Sequence, residues 1–265
     1  MGEPLLTYEH VRVSYGGREA LSDVSLTLHA GEAVGVVGES GSGKSTLIRA
    51  AMGLLGAHGA LTSGSIRFRG GELSALSERQ MARLRGSELA MVFQDSLAAL
   101  TPTRTVGAQV VEMARSHERG VAKRDALARA EGLLSRLGVD DPARVLESYP
   151  SELSGGLGQR VGLMTALYFR PAVLFADEPT SALDTVSQKQ VADELAALSS
   201  ETGTALLVAT HNFGVVRALA DRVAVMEAGR VVEEGEAASV LASPSAQRTR
   251  ELLAALPHLK AGEGR

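Results

Sequence analysis

The 265-residue sequence contains no cysteine, which excludes disulfides, thiolate metal sites and thiol catalysis. No apolar run approaches the ~18 residues of a membrane span, and the start, residues 1–4, lacks the basic region and apolar core of a signal peptide. There is no basic excess either, because the formal net charge is −4, so composition gives no sign of nucleic-acid binding. We therefore expect a soluble, cytoplasmic protein that binds no nucleic acid and whose membrane role, if any, comes through a partner.

A glycine-rich segment dominates the first quarter of the chain. Residues 38–46 read GESGSGKST, which fits the phosphate-binding pattern G-x-x-x-x-G-K-[ST]. The Val-rich run at 33–37 predicts a buried parallel strand, and the residues after the loop predict the first turns of a helix. In this context Lys44 is expected to reach the β- and γ-phosphates of a nucleotide and Ser45 to ligate Mg²⁺. For so short a pattern, a Gly/Ser turn that matches by chance is the alternative.

A second glycine-rich segment lies in the middle of the chain. Ser154 precedes Gly155 and Gly156, and a helical pattern then runs to Phe169. Serine is a favoured N-cap and the glycines leave backbone N–H groups bare, so the segment predicts a second helix terminus that can bind an anion. The phosphate loop at 38–46 is already sufficient to wrap one nucleotide, so this second anion-binding site is one more than a single nucleotide needs. An ordinary capped helix with a glycine-rich entry is the alternative.

Two acidic residues end an apolar strand pattern. Residues 173–176 read VLFA and are followed by Asp177 and Glu178, at the carboxyl edge of the predicted sheet, where ligands bind open α/β folds. Asp177 is expected to hold Mg²⁺, directly or through water, and Glu178 to polarise an attacking water. A simple turn after the strand is the alternative.

Two single side chains could also face a nucleotide. His211 follows the strand pattern 204–210 and could touch a terminal phosphate, although a lone histidine at a strand end is more often a hydrogen-bonded structural residue. Tyr15 ends the first strand pattern, just before Gly16 and Gly17. It could stack on a purine or pin the turn, and spacing alone favours the turn.

The chain changes from strand patterns to helix patterns and back. Strands separated by helices return in the second half, in the βαβ order of a parallel sheet. With 45% hydrophobic residues, the chain can bury a full core. We predict a single α/β domain, 1–265, with a core at 1–94 and 171–240, a helical subdomain at about 95–170 and a short helical tail at 241–265.

From about Leu5 to Gly235 the chain resembles the ATP-binding cassette (ABC) ATPases, with all landmarks in family order. The motif positions are the Walker A lysine Lys44, the Q-loop glutamine Gln94, the LSGGQ signature at 153–157, the Walker B aspartate Asp177, the catalytic glutamate Glu178, the D-loop aspartate Asp184, the switch histidine His211 and the adenine-stacking Tyr15. The resemblance implies nucleotide binding by Tyr15, Gly38, Ser40, Gly41, Ser42, Gly43, Lys44, Ser45, Thr46, Ser154, Gly155, Gly156 and Asp184. It implies magnesium ligation by Ser45, Gln94 and Asp177, and catalysis by Glu178, His211 and Gln94. For Tyr15 the resemblance implies stacking on adenine, whereas spacing alone favours a role in pinning the turn.

The resemblance implies a P-loop NTPase cassette with a RecA-like core, an N-terminal antiparallel β subdomain and an inserted helical subdomain. It implies ATP and Mg²⁺ as cofactors, and it accounts for the surplus anion site. Two cassettes, of the same or a related chain, pair head to tail, so each ATP lies between one Walker A loop and the partner's signature. Closure of the pair would drive transmembrane permease subunits at the cytoplasmic face of the cell membrane. Leu157 departs from the signature, which has glutamine there.

Two stretches resemble the dipeptide, oligopeptide and nickel importers, at 94–107 and at 243–257. Ser96 stands where proline is usual, Thr101 where asparagine is, and 246–248 read AQR where His-Pro-Tyr is usual. The expected function is to energise import of peptides, nickel or a metal chelate delivered by an extracytoplasmic solute-binding protein. The cassette of an exporter is one alternative, and a non-transport ATPase resembling the phosphonate-degradation accessory proteins is another. The solute stays open because substrate contacts lie in other subunits.

Overall fold

The computed structural model describes residues 3–93, 96–180 and 185–255. The first strands are β1 (Pro4–Tyr15), β2 (Arg18–His29), β4 (Gly59–Phe68) and β5 (Gly71–Glu72). They form an antiparallel sheet in the order β2-β1-β4-β5. Much of β1 and β2 alternates between buried and exposed positions, because one face of the sheet packs inward and the other meets solvent.

A second, six-stranded sheet forms the centre of the molecule. Its strands are β3 (Ala33–Val37), β6 (Leu89–Val92), β7 (Val173–Asp177), β8 (Ala205–Thr210), β9 (Arg222–Glu227) and β10 (Arg230–Glu236). The order is β10-β9-β3-β8-β7-β6, and all neighbours are parallel except β10 with β9. Every residue of β3, β7 and β8 is buried, as expected for parallel strands covered on both faces.

Helices connect these strands. They are α1 (Lys44–Ala51), α2 (Glu78–Leu84), α3 (Val106–His117), α4 (Lys123–Arg136), α5 (Pro142–Glu147), α6 (Gly155–Leu167), α7 (Thr185–Thr202), α8 (Phe213–Leu219), α9 (Ala237–Ala242) and α10 (Gln247–Ala254). Local sequence explains several starts. Thr105 caps α3 by accepting from the Ala108 amide at 3.3 Å, and Asp141 caps α5 just ahead of Pro142, whose missing N–H costs nothing there.

Three apolar clusters hold the layers together. One joins α3–α6 to one face of the central sheet, and a second joins α1 and the antiparallel sheet to the other face. The third packs α8 and α9 near β9. Tyr8, fully buried on β1, donates its hydroxyl to the Leu47 carbonyl of α1 at 3.2 Å and so ties the antiparallel sheet to the helix that follows the phosphate loop.

The predicted α/β class is confirmed, with the antiparallel sheet at the N-terminus and βαβ order in the second half. The division into core, helical subdomain and tail at the stated boundaries stays a prediction. In the part of the chain that the structure describes, no helix combines the length and apolar character needed to cross a membrane.

Candidate functional site

A cleft of about 640 Å³ opens beside the ends of β3, β7 and β8. Parallel strands bring their carboxyl ends to one edge of a sheet, so the segments that follow them converge there. The described residues that line the cleft are Ala20, Glu39, Ser40, Gly41, Gly43, Lys44, Ser45, Thr46, Asp177, Glu178 and His211. The phosphate loop, the two strand-end acids and the histidine therefore meet in one place.

The loop before α1 depends on glycine. Gly41 and Gly43 have φ angles of 81° and 108°, in the left-handed region that side chains disfavour. A Cβ on Gly43 would lie 2.8 Å from Leu21 Cδ2 and 2.9 Å from the Ala20 carbonyl oxygen. Both backbone shape and neighbouring atoms therefore require glycine at this position. The loop leads directly into the free N–H groups at the start of α1, which favour an anion.

Lys44 is held at the mouth of the loop. Its Nζ donates hydrogen bonds to the carbonyl oxygens of Gly38, at 2.8 Å, and Glu39, at 2.9 Å. Burial lowers the pKa of Lys44, and the nearby carboxylates of Glu178 and Asp177 oppose that shift. A partly desolvated ammonium in a polar cleft interacts strongly with an anion, because little water screens the charge.

Ser42 supplies a polar atom without a partner. Its buried Oγ has no hydrogen-bond partner among the residues that the structure describes. A buried hydroxyl normally finds one, since an unpaired polar group costs free energy. The hydroxyl lies inside the loop, 2.6 Å from where a Cβ on Gly38 would be. Ser42 is not among the described residues that line the cleft, so the fit to a phosphate group rests on the glycine turn, the amides at the start of α1 and Lys44.

Ser45 and Asp177 form the position that fits Mg²⁺. Ser45 Oγ donates to Asp177 Oδ1 at 2.9 Å. Burial raises the pKa of Asp177, and the hydrogen bond from Ser45 opposes that rise. Within residues 3–93, 96–180 and 185–255 no group of three or more His, Cys, Asp or Glu side chains could enclose a metal. The Ser45 hydroxyl and the Asp177 carboxylate are oxygen ligands of the kind that Mg²⁺ takes, since this ion keeps several waters and is held by one or two protein groups plus substrate phosphates.

The Glu178 carboxylate is held at both oxygens. His211 Nδ1 lies 2.9 Å from Oε1, and Thr210 Oγ1 donates to Oε2 at 3.1 Å. Thr210 also accepts the Asn212 amide at 3.0 Å, which fixes its hydroxyl. Thr210 is a residue that the sequence patterns missed. Its signal is a buried hydroxyl at the last position of β8, directly before the histidine.

The second glycine-rich segment lies elsewhere on the chain. Ser154 caps α6 by accepting from the Leu157 amide at 3.3 Å, and both Ser154 and Gly155 are exposed. Neither they nor Gly156 are among the described residues that line the cleft. Leu157 is partly buried against the apolar cluster of α3–α6. Among the described residues, this helix start therefore lies outside the cleft formed by the chain's own phosphate loop.

Besides the second glycine-rich segment, the predicted site residues Tyr15, Gly38 and Ser42 are not among the described residues that line the cleft. Tyr15 is partly buried against the second apolar cluster. Its adenine-stacking role stays a prediction. Gln94 and Asp184 lie outside the described residues.

Comparison with known proteins decides the family. Residues 21–181, more than half of the chain, match the protein family described as "ABC transporter". The chain belongs to the ABC transporter family. Dipeptide transport ATP-binding protein DppD of Escherichia coli (strain K12) is 40% identical over 257 residues, which covers 96% of this chain and 78% of DppD. Oligopeptide transport ATP-binding protein AmiE of Streptococcus pneumoniae serotype 4 (strain ATCC BAA-334 / TIGR4) is 39% identical over 265 residues, covering 98% of this chain and 74% of AmiE.

Solved structures give the same answer for the fold. The ATP-binding cassette MJ0796, as a dimer in a post-hydrolysis state bound to ADP and Pi, has a TM-score of 0.78 at 27% identity, covering 88% of this chain and 99% of that one. CbiO1 from Clostridium perfringens, part of an ABC transporter complex, has a TM-score of 0.77 at 27% identity, covering 96% and 97%. These matches confirm the ABC cassette fold and the prediction that this chain is an ATP-binding ABC ATPase.

Proposed function

We propose that this ABC cassette hydrolyses magnesium-bound ATP in the described cleft to energise the import of peptides, with nickel or a metal chelate as the other solutes of this branch. The observation that carries the proposal is the meeting of Lys44, Ser45, Asp177, Glu178 and His211 in one cleft at the ends of parallel strands. The transport functions in the names of DppD and AmiE support the peptide solute.

Each side chain has a part that follows from its chemistry. Lys44 and the loop amides hold the phosphates, with Ser40, Ser42 and Thr46 as further polar groups. Ser45 and Asp177 would hold Mg²⁺, with Gln94 as the third predicted ligand. When bound, the ion neutralises charge on the β- and γ-phosphate oxygens. Glu178 orients and polarises the attacking water, while His211 and Thr210 keep its carboxylate in place.

A second cassette would complete the site. Ser154, Gly155 and Gly156 form an anion-binding helix start that the chain's own cleft does not use. Paired head to tail, each chain would present this start, together with Asp184, to the phosphates held by the other. The dimeric form of MJ0796 supports such pairing. The arrangement explains why one chain has two anion-binding positions.

An apolar groove supports contact with a permease. It holds about 410 Å³ between the end of β6 and α3, and its lining includes Met91, Phe93, Leu100, Val110 and Met113. Phe93 is 43% exposed, which is unusual for a large apolar side chain. We assign the groove to a helix of a transmembrane permease subunit, because the transporter family of this chain needs a membrane partner. The extracytoplasmic solute-binding protein would then act through the permease, and the chain would lie at the cytoplasmic membrane face.

The test is transport by the complex with its permease and solute-binding protein in vesicles. Dipeptide uptake should require ATP on the side of this chain and should be lost in the variant Lys44→Ala, which removes the phosphate-binding ammonium. Arg124→Ala, at an exposed position on α4, is the matched control and should transport normally. ATP-dependent nickel uptake without dipeptide uptake would replace the peptide by the metal. Export from loaded vesicles would contradict import.

A further inference from the structure

One arginine joins α10 to the phosphate loop. Arg248 pairs with Glu39 in that loop, with Glu227 at the end of β9 at 3.3 Å, and with Glu251 on α10 at 3.0 Å. The Arg248 side chain is 21% exposed, whereas that of Glu39 is 66% exposed. A single guanidinium therefore sits among three carboxylates, and one of them belongs to the loop that surrounds the phosphates.

The start of α10 is fixed independently of this pair. Glu233 on β10 is buried and accepts from the Ser245 amide at 2.6 Å, the Ser245 hydroxyl at 2.7 Å and the Ala246 amide at 3.2 Å. A carboxylate that satisfies free N–H groups at a helix start anchors that helix. Arg248 lies in the first turn of α10. Because Glu233 attaches this helix to the central sheet, Arg248 is held next to Glu39 by a helix whose position does not depend on the ion pair.

Glu39 is placed where its charge matters. Its carbonyl oxygen accepts from both Lys44 Nζ, at 2.9 Å, and the Ser42 amide, at 3.2 Å, so its backbone is part of the phosphate loop. The residue lines the cleft with Lys44 and Ser45. An uncompensated carboxylate at this rim would repel the phosphates of ATP, and its free side chain could swing toward them. Arg248 both offsets the charge and restrains the side chain.

We propose that Arg248 is a positioning residue for ATP binding, which holds and neutralises Glu39 so that nucleotide affinity depends on the docked position of α10. The proposal rests on the proposed role of the phosphate loop. The sequence alone does not reveal the ion pair between Arg248 and Glu39, because the two residues lie far apart in the chain and only the fold brings them together.

The test is ATP affinity of the full chain, measured by titration with Mg²⁺-ATP, together with KM and kcat in the assembled complex. Arg248→Ala should weaken ATP binding and raise KM roughly 3- to 10-fold, as expected for one unbalanced charge near a charged ligand, and leave kcat within twofold. The difference should shrink at about 1 M salt, where the Debye length is about 3 Å. Arg248→Lys should recover part of the affinity, because it restores charge without the planar fork.

The Glu39→Gln background separates the ion pair from general damage to the helix. There, Arg248→Ala should have no further effect on ATP affinity, since the charge that Arg248 offsets is gone. Arg250→Ala is the matched control on α10, because Arg250 contacts only the carbonyl oxygens of Pro244 and Ser245 among the hydrogen bonds seen here. It should leave affinity unchanged. An equal loss in Arg250→Ala, or a loss from Arg248→Ala that persists in Glu39→Gln, would overturn the proposal.

Lys44→Ala distinguishes this inference from the function on which it rests. Loss of ATP binding in Lys44→Ala, together with normal affinity in Arg248→Ala, would reject the role of Arg248 and leave the phosphate loop in place. Normal ATP binding in Lys44→Ala would reject the phosphate-loop site itself.

Discussion

Glu178 has a backbone conformation that few residues other than glycine adopt. Its φ is 50°, in the left-handed region, and its N–H donates to the Ala209 carbonyl at 2.8 Å. Strain of this kind persists where surrounding contacts over-determine it, and here Thr210 and His211 contact both carboxylate oxygens. The arrangement aims one carboxylate into the cleft in a fixed direction, which is what a group that orients water requires.

The first prediction concerns the chemistry of Glu178. Glu178→Gln keeps the size of the side chain but loses the carboxylate that polarises water, so ATP turnover in the assembled complex should fall roughly 10²–10⁴-fold. ATP affinity should stay within a few-fold, because Lys44 and the loop are intact, and ATP should trap a closed pair. The measurement is steady-state hydrolysis alongside nucleotide binding. Turnover within a few-fold of the unmodified complex would rule out Glu178 as the catalytic residue.

Thr210 provides the second prediction. Thr210→Val keeps the shape of the side chain but removes the hydrogen bond to Glu178, which for a charged acceptor contributes about 1.5–3 kcal/mol. We expect kcat to fall on the order of tenfold with KM for ATP unchanged, because the phosphates are held elsewhere. Thr210→Ser should restore turnover, since it keeps the hydroxyl. A rise in KM without a fall in kcat would contradict a role in positioning Glu178.

At the residue scale, a site residue can be predicted from the sequence only when it belongs to a short local motif. The phosphate loop can be predicted because Gly43 and Lys44 have to follow each other in one turn. Asp177 and Glu178 can be predicted because they end an apolar strand pattern. Thr210 cannot be predicted in this way, because a threonine at a strand end is common and its role depends on the contact with Glu178 that the fold creates. The Arg248–Glu39 pair is hidden for the same reason: it depends on how distant segments meet.

At the element scale, strands buried on both faces are predictable and surface helices are much less so. The apolar runs of β3, β7 and β8 leave little choice but a central sheet. The position of α10 has no such pattern, because it depends on Glu233 of β10 and on Arg248. Leu252 and Leu253 of α10 also pack against the third apolar cluster, so its docking combines apolar contacts with these polar ones, of which the contact to Glu233 responds to pH through the lowered pKa of that carboxyl.

The third prediction concerns that attachment. Burial would raise the pKa of Glu233, but hydrogen bonds from the start of α10 outweigh it and lower the pKa to about 2. A carboxyl with a lowered pKa stabilises the folded state above its unfolded pKa, near 4.3, and the contribution is lost as pH falls toward 2. The protection of α10 amides against hydrogen exchange, taken relative to the intrinsic exchange rate at each pH, should therefore decrease across this range, and earlier than the protection of β3.

Glu233→Gln tests the same contact at neutral pH. It should expose α10 to exchange and to proteolysis, because an amide accepts these hydrogen bonds less well than a carboxylate. Glu236→Gln is the matched control on β10, since Glu236 is exposed and accepts only from the Ser239 hydroxyl among its hydrogen bonds seen here. Equal protection of α10 in both variants would contradict the anchoring role of Glu233.

At the scale of the whole molecule, the two glycine-rich segments belong to different surfaces. Lys44 is buried in the cleft, whereas Ser154 is exposed at the start of α6 and outside that cleft. One chain therefore carries two predicted anion-binding segments, and among the described residues only the first lines the cleft. In the head-to-tail pair that we propose, each of these segments would meet the other kind on the partner chain.

The last prediction tests that pairing with two variants. Ser154→Arg should leave the ATP affinity of the single chain within about twofold, since Lys44 and its loop hold the phosphates, but should block closure on a partner's nucleotide. Lys44→Ala should do the reverse and remove binding by its own chain.

If the working unit is a homodimer, mixing the two inactive variants should restore hydrolysis at one site of each mixed pair, because one chain supplies Lys44 and the other Ser154. With a distinct second cassette, Ser154→Arg should instead silence only the site built on the partner's loop. Normal turnover at both sites of a Ser154→Arg complex would contradict a site shared between chains.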